Sequence, residues 1–501
     1  MDVDDYDEFN DIENEFLGLP HNTKPKVLRE NKSFPLDDYD MEVDNAAPSG
    51  SFVPASSLLT PGRTVYSAVK TPRSSIRYGS ETRNLVEHHG RKYKRGTIDV
   101  RTPPSLTTEK SRNINDYMVG SDKIVETITS DYEYYEKVIE HVYQKGDKGN
   151  DEVICGQISV NVDEYGKIND KCASLCTPDE IIPLDFEGMT RVSLFCGKRV
   201  VYRGRKELKR FRVLEELELP PIEHAKYEGP KNDGEKSFIV HVAAGPYSLP
   251  ESCDFSPLYS LIDVSMRDGV SALILIGPFV KVKQFFDKDI DHESYLAELF
   301  TQVYNHIAGS NMKIIVVPNV EDDACVFPVY PTPRLNLDEE LVARLSNKIT
   351  FLPDPSTFTL NGVKFSITGI DTLLHISKSD FYRSEASENE NRVDRLTSHI
   401  LEQQTFYPIY PPLDELPYIQ TPNSFEMIRI REIPHVLLMS SMLPQSYRDL
   451  SECLCVNVGK ILRNGFSKIS FSLTDACVGA TNISDYVKGE FFELKAPASS
   501  D

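Results

Sequence analysis

The chain has 501 residues with 55 Lys+Arg against 77 Asp+Glu, a net charge of −22, 40% hydrophobic residues and no tryptophan. That length suits about two to four domains, and the acidic balance argues against non-specific wrapping of nucleic acid by the whole surface. No apolar run approaches the roughly 20 residues of a membrane span, and the acidic start Met1-Asp2-Val3-Asp4-Asp5 is the opposite of a signal peptide. Nine cysteines without a Cys-x-x-Cys pair fit reduced thiols inside a cell. Cys172/Cys176 and Cys453/Cys455 lack a second pair or a His at zinc spacing.

Residues 1–115 read as a mostly disordered acidic and Pro/Ser/Thr-rich arm, because apolar residues are too sparse to build a core. One island departs from this. Phe9, Ile12, Phe16 and Leu17 recur at helical spacing among acidic residues, which predicts a short docking helix near 7–18 or a solvated acidic tail. Thr60, Thr71 and Thr102 each precede proline in exposed chain, the pattern of proline-directed phosphorylation or of a plain linker. Arg91, Lys92, Lys94 and Arg95 make a basic cluster that reads as a nuclear import signal or a solvated charge run. A helical lead-in is expected over 116–146.

From about 150 to 222 the pattern turns to short strands. Val153–Val160, Arg191–Phe195, Arg199–Tyr202 and Phe211–Leu217 alternate with turns at Gly166, Gly197 and Gly204, which predicts a small barrel. The run Lys198 to Arg212 carries eight basic residues opposed only by Glu207. Single-stranded nucleic acid, a protein contact and a solvated edge all remain open for it.

Pro220-Pro221 begins a linker, and a third region runs from 237 to 495. Three apolar runs, Phe238–Ala243, Ala272–Ile276 and Ile314–Val317, are separated by helical patterns. This alternation is that of βαβ units with a parallel sheet. Asn361-Gly362 between apolar runs predicts a hairpin. Val436–Met439, Leu454–Val458 and Ile469–Leu473 read as later strands. In open α/β sheets chemistry sits at the strand C-termini. Here those termini are Ala244-Gly245-Pro246-Tyr247, Gly277-Pro278-Phe279-Val280 and Pro318-Asn319-Val320-Glu321.

These turns resemble the three metal-binding turns of calcineurin-like phosphoesterases with the ligands removed. Such enzymes hold two metals through Asp-x-His, Gly-Asp-x-x-Asp and Gly-Asn-His turns. Ala243 and Gly245 stand at the first pair, Pro278 and Lys281 at the second, and Asn319 survives beside Val320 in the third. Alanine, glycine and proline side chains offer no lone pair, and an ammonium repels a metal. His375, His399 and His435 are the only later histidines, and Asp322 and Asp323 offer at most a weak cation site, not a binuclear one. Neither a Gly-x-x-x-x-Gly-Lys-Ser/Thr loop nor a Gly-x-Ser-x-Gly elbow is present.

Together with "RLTSHILEQQTFYPIYPP" (395–412), "VFPVYPTPRL" (326–335) and "CLCVNVGKI" (453–461), the pattern resembles the B subunits of replicative DNA polymerases, the alpha–primase branch above the delta and epsilon ones. The resemblance implies an α/β + β fold: an inactivated phosphoesterase-like αββα sandwich at 237–495 with an OB-fold at 150–222. It implies a non-catalytic nuclear scaffold without cofactor or metal. Its partners would be the C-terminal domain of a polymerase catalytic subunit and, through the complex, primase subunits; any direct nucleic-acid contact would be weak. It also implies a compact N-terminal helical domain, for which these residues give no pattern. An active metallophosphoesterase is the alternative of another class.

Overall fold

The strand patterns close into one barrel and two stacked sheets. The computed structural model describes residues 67–70, 106–108 and 151–495, apart from 161–167, 178–179, 231–235, 249–253, 281–291, 385–390 and residues 324, 326 and 420. All described residues belong to one unit, 59–501. The expected docking helix, threonine sites, basic cluster, helical lead-in and Lys281 lie outside the described residues.

Two short strands come from the stretch read as an arm: β1 (Ser67–Lys70) and β2 (Leu106–Thr108). They add to sheet edges far along the chain, which local composition cannot reveal.

The barrel is formed by β3 (Glu152–Val160), β4 (Ala173–Cys176), β5 (Ile181–Asp185), β7 (Arg199–Glu207) and β8 (Arg210–Leu217), closed in the order β3-β4-β5-β8-β7. Strand β6 (Val192–Leu194) lies outside that ring. Alternate residues face in: Ile158, Leu175, Ile182, Leu184, Tyr202, Phe211 and Val213 fill the interior. At Gly156 a side chain would collide with the carbonyl of Cys176, so glycine lets β3 and β4 approach. At Arg203/Gly204 the β7–β8 register shifts, the kink of a bulge.

The first sheet runs β1-β20-β19-β9-β10-β11-β12. Its parallel centre is β9 (Ser237–Ala244), β10 (Ala272–Ile276), β11 (Lys313–Val317) and β12 (Ile349–Phe351). Both faces of these strands are covered, which is why Ala-Leu-Ile-Leu-Ile shows no alternation. Outside pack α1 (Ser256–Arg267), with Pro257 in its first turn, α2 (His292–His306) and α3 (Glu339–Leu345); Leu261, Leu299, Phe300 and Leu345 meet Leu273 and Ile314 in one cluster.

The second sheet runs β17-β18-β16-β14-β13-β2. It contains β13 (Ser356–Leu360), β14 (Val363–Thr368), β16 (Val436–Met439), β17 (Ser446–Leu450) and β18 (Cys453–Asn457). The β13–β14 hairpin turns through Asn361 and Gly362, both at positive φ, as Asn-Gly predicts. Phe358, Phe365, Val436 and Leu438 of this sheet face Val240, Val242, Ile274 and Phe471 of the first. Each such fully buried side chain contributes about 1.5–3 kcal/mol. β19 (Phe466–Ser472) and β20 (Val487–Lys495) complete the first sheet, and Tyr447 on β17 ties the sheets together by bonding Ser467 on β19.

Helices α4 (Thr372–Ser379) and α5 (Arg392–Glu402) pack on each other, and α5 reaches β17, where Asp394 pairs with Arg448. Between the two helices β15 (Phe381–Arg383) leaves the sandwich and pairs antiparallel with β6. Two short helices, α6 (Pro422–Met427) and α7 (Ile461–Asn464), lie in later connections.

Candidate functional site

At the carboxyl ends of β9, β10 and β11 the three turns close against one another. A side chain on Gly245 would collide with the carbonyl oxygen of Pro278, and a Cβ on Gly277 would lie 2.8 Å from the Asn319 nitrogen. Tyr247 shares its phenolic proton between the carbonyls of Ala243, 2.8 Å away, and Ile276, 3.0 Å away. Its ring stacks on Phe279. Val320 is buried too.

The third turn carries two side chains that act on backbone. Asn319 donates from Nδ2 to the carbonyl of Gly369 at 2.6 Å and accepts the Glu321 amide at 2.8 Å. Asp322, only 1% exposed, accepts the amide protons of Phe279 and Val280. Both carboxylate oxygens of Asp322 are thus engaged by the second turn. Among the described residues no group of three His, Cys, Asp or Glu converges on a metal position.

The late histidines are scattered. His375 on α4 bonds Tyr407 at 3.2 Å and lies 3.4 Å from Glu415. His435 accepts the Lys364 amide at 3.0 Å, and burial pushes its imidazole down to about 4. His399 sits on α5, where the barrel meets the sandwich.

That junction is densely hydrogen-bonded, and residues of the motif 395–412 build much of it. Asn391 caps α5 by accepting the Val393 amide, which fixes the helix start. One face of α5 then presents Arg395, His399 and Gln403 at helical spacing toward the barrel. Gln403 brackets the backbone of Arg199, accepting its N–H at 2.7 Å and donating to its carbonyl at 3.0 Å. Gln404 donates to Pro220 in the linker. The Tyr410 amide donates to Cys196, and Gly197, at positive φ, has no room for a side chain there.

Arg395 is 4% exposed, pairs with equally buried Asp380 at 2.7 Å, lies over the Tyr382 ring and donates to Ser193 Oγ at 3.3 Å. Arg383 pairs with Asp170 of the barrel and donates to the carbonyl of Phe186. Lys198 donates to the Ser193 carbonyl at 2.8 Å and to Glu216 at 2.7 Å. A cleft of about 740 Å³ opens beside these groups, lined by Arg191, Lys198, Leu214, Leu219, His399 and Glu402.

Ser193, His399 and Glu402 lie in a relay order, with Oγ to Nε2 at 2.9 Å and Nδ1 to the carboxylate at 3.4 Å. Their surroundings make this a clamp. The Ser193 hydroxyl accepts from a guanidinium, which lowers its nucleophilicity, and it is buried in a paired strand. Acyl transfer needs an exposed nucleophile facing converging donors. Burial holds the His399 imidazole below its usual value, against the pull of Glu402.

The basic run 198–212 is largely compensated. Lys198 meets Glu216, Arg203 meets Glu215, Arg205 meets Asp151, Lys206 meets Glu180 and Arg212 meets Asp185 and Glu207. Except for Glu207, these acids lie outside the run, on neighbouring strands and loops, which is why sequence proximity found only that one.

Residues 240–448 match the sequence family of the B subunit of DNA polymerase alpha/epsilon. The B subunit of DNA polymerase alpha from Mus musculus is 30% identical over 324 residues, covering 62% of this chain and 52% of that protein. The protein of the same name in Caenorhabditis elegans is 27% identical over 347 residues, covering 66% and 57%. That of Schizosaccharomyces pombe is 25% identical over 301 residues, covering 56% and 50%. The chain thus spans about half the length of the curated relatives it matches.

Proposed function

We propose that the protein is a non-catalytic scaffold subunit of DNA polymerase alpha–primase, a reading supported by the match of residues 240–448 to the family of B subunits of DNA polymerases alpha and epsilon. In this reading the region 237–495 is an inactivated phosphoesterase-like domain. The barrel at 150–222 is an OB-fold, an assignment its five-stranded closure supports. The two jointly hold the C-terminal domain of the polymerase catalytic subunit, which carries the primase subunits, and the complex supports primer synthesis at initiation of replication.

The observation that carries the non-catalytic part is the packing of the three turns, where backbone and Asp322 take the place of a metal pair. Purified protein is expected to show no metal-stimulated phosphodiester cleavage. Activity that co-purifies with the chain and disappears on Asn319→Ala would contradict it. The partner is tested by co-purification from replicating cells with nuclease present. Recovery of a delta or epsilon catalytic subunit in place of alpha would move the protein to another branch.

The remaining assignments follow from the arm. Arg91, Lys92, Lys94 and Arg95 direct nuclear import, and their replacement by Ala leaves the free protein in the cytoplasm of cells lacking the catalytic partner. Thr60, Thr71 and Thr102 are phosphorylated in dividing cells, which mass spectrometry through the cycle detects. Phe9, Ile12, Phe16 and Leu17 dock in a partner groove. Their alanine variants lose that partner in pull-downs while retaining the catalytic subunit.

A further inference from the structure

We propose that Asp354 is a protonation-dependent latch between the two sheets, holding them as a neutral acid and loosening them when it ionises. The residue follows β12, where the chain leaves the first sheet for the second. Its side chain is fully buried. Oδ1 accepts the amide proton of Gly369, 2.8 Å away at the end of β14. Its backbone exchanges two bonds with Thr332, at 2.6 and 2.9 Å. One residue therefore joins the ends of both sheets to the segment before α3.

The other oxygen, Oδ2, has no hydrogen bond of good geometry, and neither have the hydroxyls of Tyr330, Thr332 and Thr368. Thr368 and Tyr330 lie close enough to act on one another and on the carboxyl. A buried carboxylate with an unmet oxygen is costly, whereas a neutral acid has a proton to give such neighbours. The titratable groups that face it are Lys460, at the start of α7, and Tyr330. Lys460 donates to Ser440 Oγ at 2.9 Å. Burial holds the Tyr330 phenol well above its usual range, so it stays neutral. Burial likewise pushes the Asp354 carboxyl up from 3.8 to about 7, although the Gly369 and Ile370 amides and Thr368 pull it down.

The folded-state value lies above the unfolded one. The stabilisation is then complete below about pH 4 and is lost as pH rises through about 7. Buried His399 and His435 act in the opposite direction below pH 6.5, so a comparison at this one position isolates the latch.

The test is thermal melting of the intact chain and of Asp354→Asn between pH 5 and 8.5. The amide has the shape of the neutral acid. The wild-type midpoint is expected to fall by about 5 °C more than that of the variant across this range. Parallel slopes would overturn the proposal. A second measurement needs no variant: infrared difference spectra of the wild type should lose a protonated-carboxyl stretch on passing through neutral pH. A protein whose carboxyls are all ionised at pH 6 refutes the latch, and this reading decides alone should Asp354→Asn fail to fold.

Discussion

At the scale of single residues, the turn after β11 spends its polar side chains on backbone: Asn319 on Gly369 and Glu321, Asp322 on Phe279 and Val280. That Ala243, Gly245, Pro278 and Val320 offer no metal-binding side-chain atom was legible in the sequence, because side-chain type alone decides whether a lone pair is on offer. What fills the space was not. Asp322 reaches back to Phe279 and Val280 across more than forty residues, and no local pattern announces that. Asp322→Ala should leave two buried amides unmet and cost about 2–4 kcal/mol in denaturant unfolding, with Asp322→Asn costing less. Gly245→Ala should cost about 1–3 kcal/mol by overpacking against Pro278, measured the same way. An unchanged midpoint in either would show that the turns are loose. Histidines give the pH dependence its acid side. Burial lowers His399 and His435, the latter to about 4, so both fold neutral. Their contribution is complete above pH 6.5 and is lost as pH falls toward 4. This acid-side loss opposes the gain from Asp354, so His435→Gln should raise the melting temperature at pH 4.5 relative to wild type more than at pH 7.

Among the elements, legibility followed length and burial. β9, β10 and β11 are continuous apolar runs and were plain. β4 and β5 were missed because they are four and five residues long and β5 contains Pro183. β7 was cut short at Tyr202 because its second half, Arg203–Glu207, is charged and draws its pairing from β8. β2 was invisible for another reason. Leu106-Thr107-Thr108 has no pattern of its own, yet it pairs with β13 and Leu106 packs on the inter-sheet core. A chain beginning at residue 104 should therefore be more stable than one beginning at 115 by about 1–2 kcal/mol, read by denaturation. Equal stability would show that β13 tolerates a bare edge.

For the whole molecule, barrel and sandwich are joined by contacts that are buried and specific. Arg395 and Asp380 are each 4% exposed; removing Arg395 leaves buried Asp380 with the more distant Arg392, 3.8 Å away, at a cost of about 3–5 kcal/mol. Arg395→Ala should make the 218–236 linker sensitive to limited proteolysis before the sandwich itself unfolds. Cleavage only after global unfolding would mean that the junction adds no rigidity. The motif 395–412 was visible in the sequence as a signature of a family, but its work at the junction was not, since Gln403, Gln404 and Tyr410 all bond to barrel or linker backbone about two hundred residues earlier. The strand pair β15–β6 gives that clamp a consequence for the speed and economy of assembly. Under the proposed function, a partner that touches both lobes would meet the second at a fixed offset, so that contact would form at a high effective concentration and without the entropy of a hinge search. Loosening the clamp would thus weaken a two-lobed partner while sparing a partner confined to either lobe.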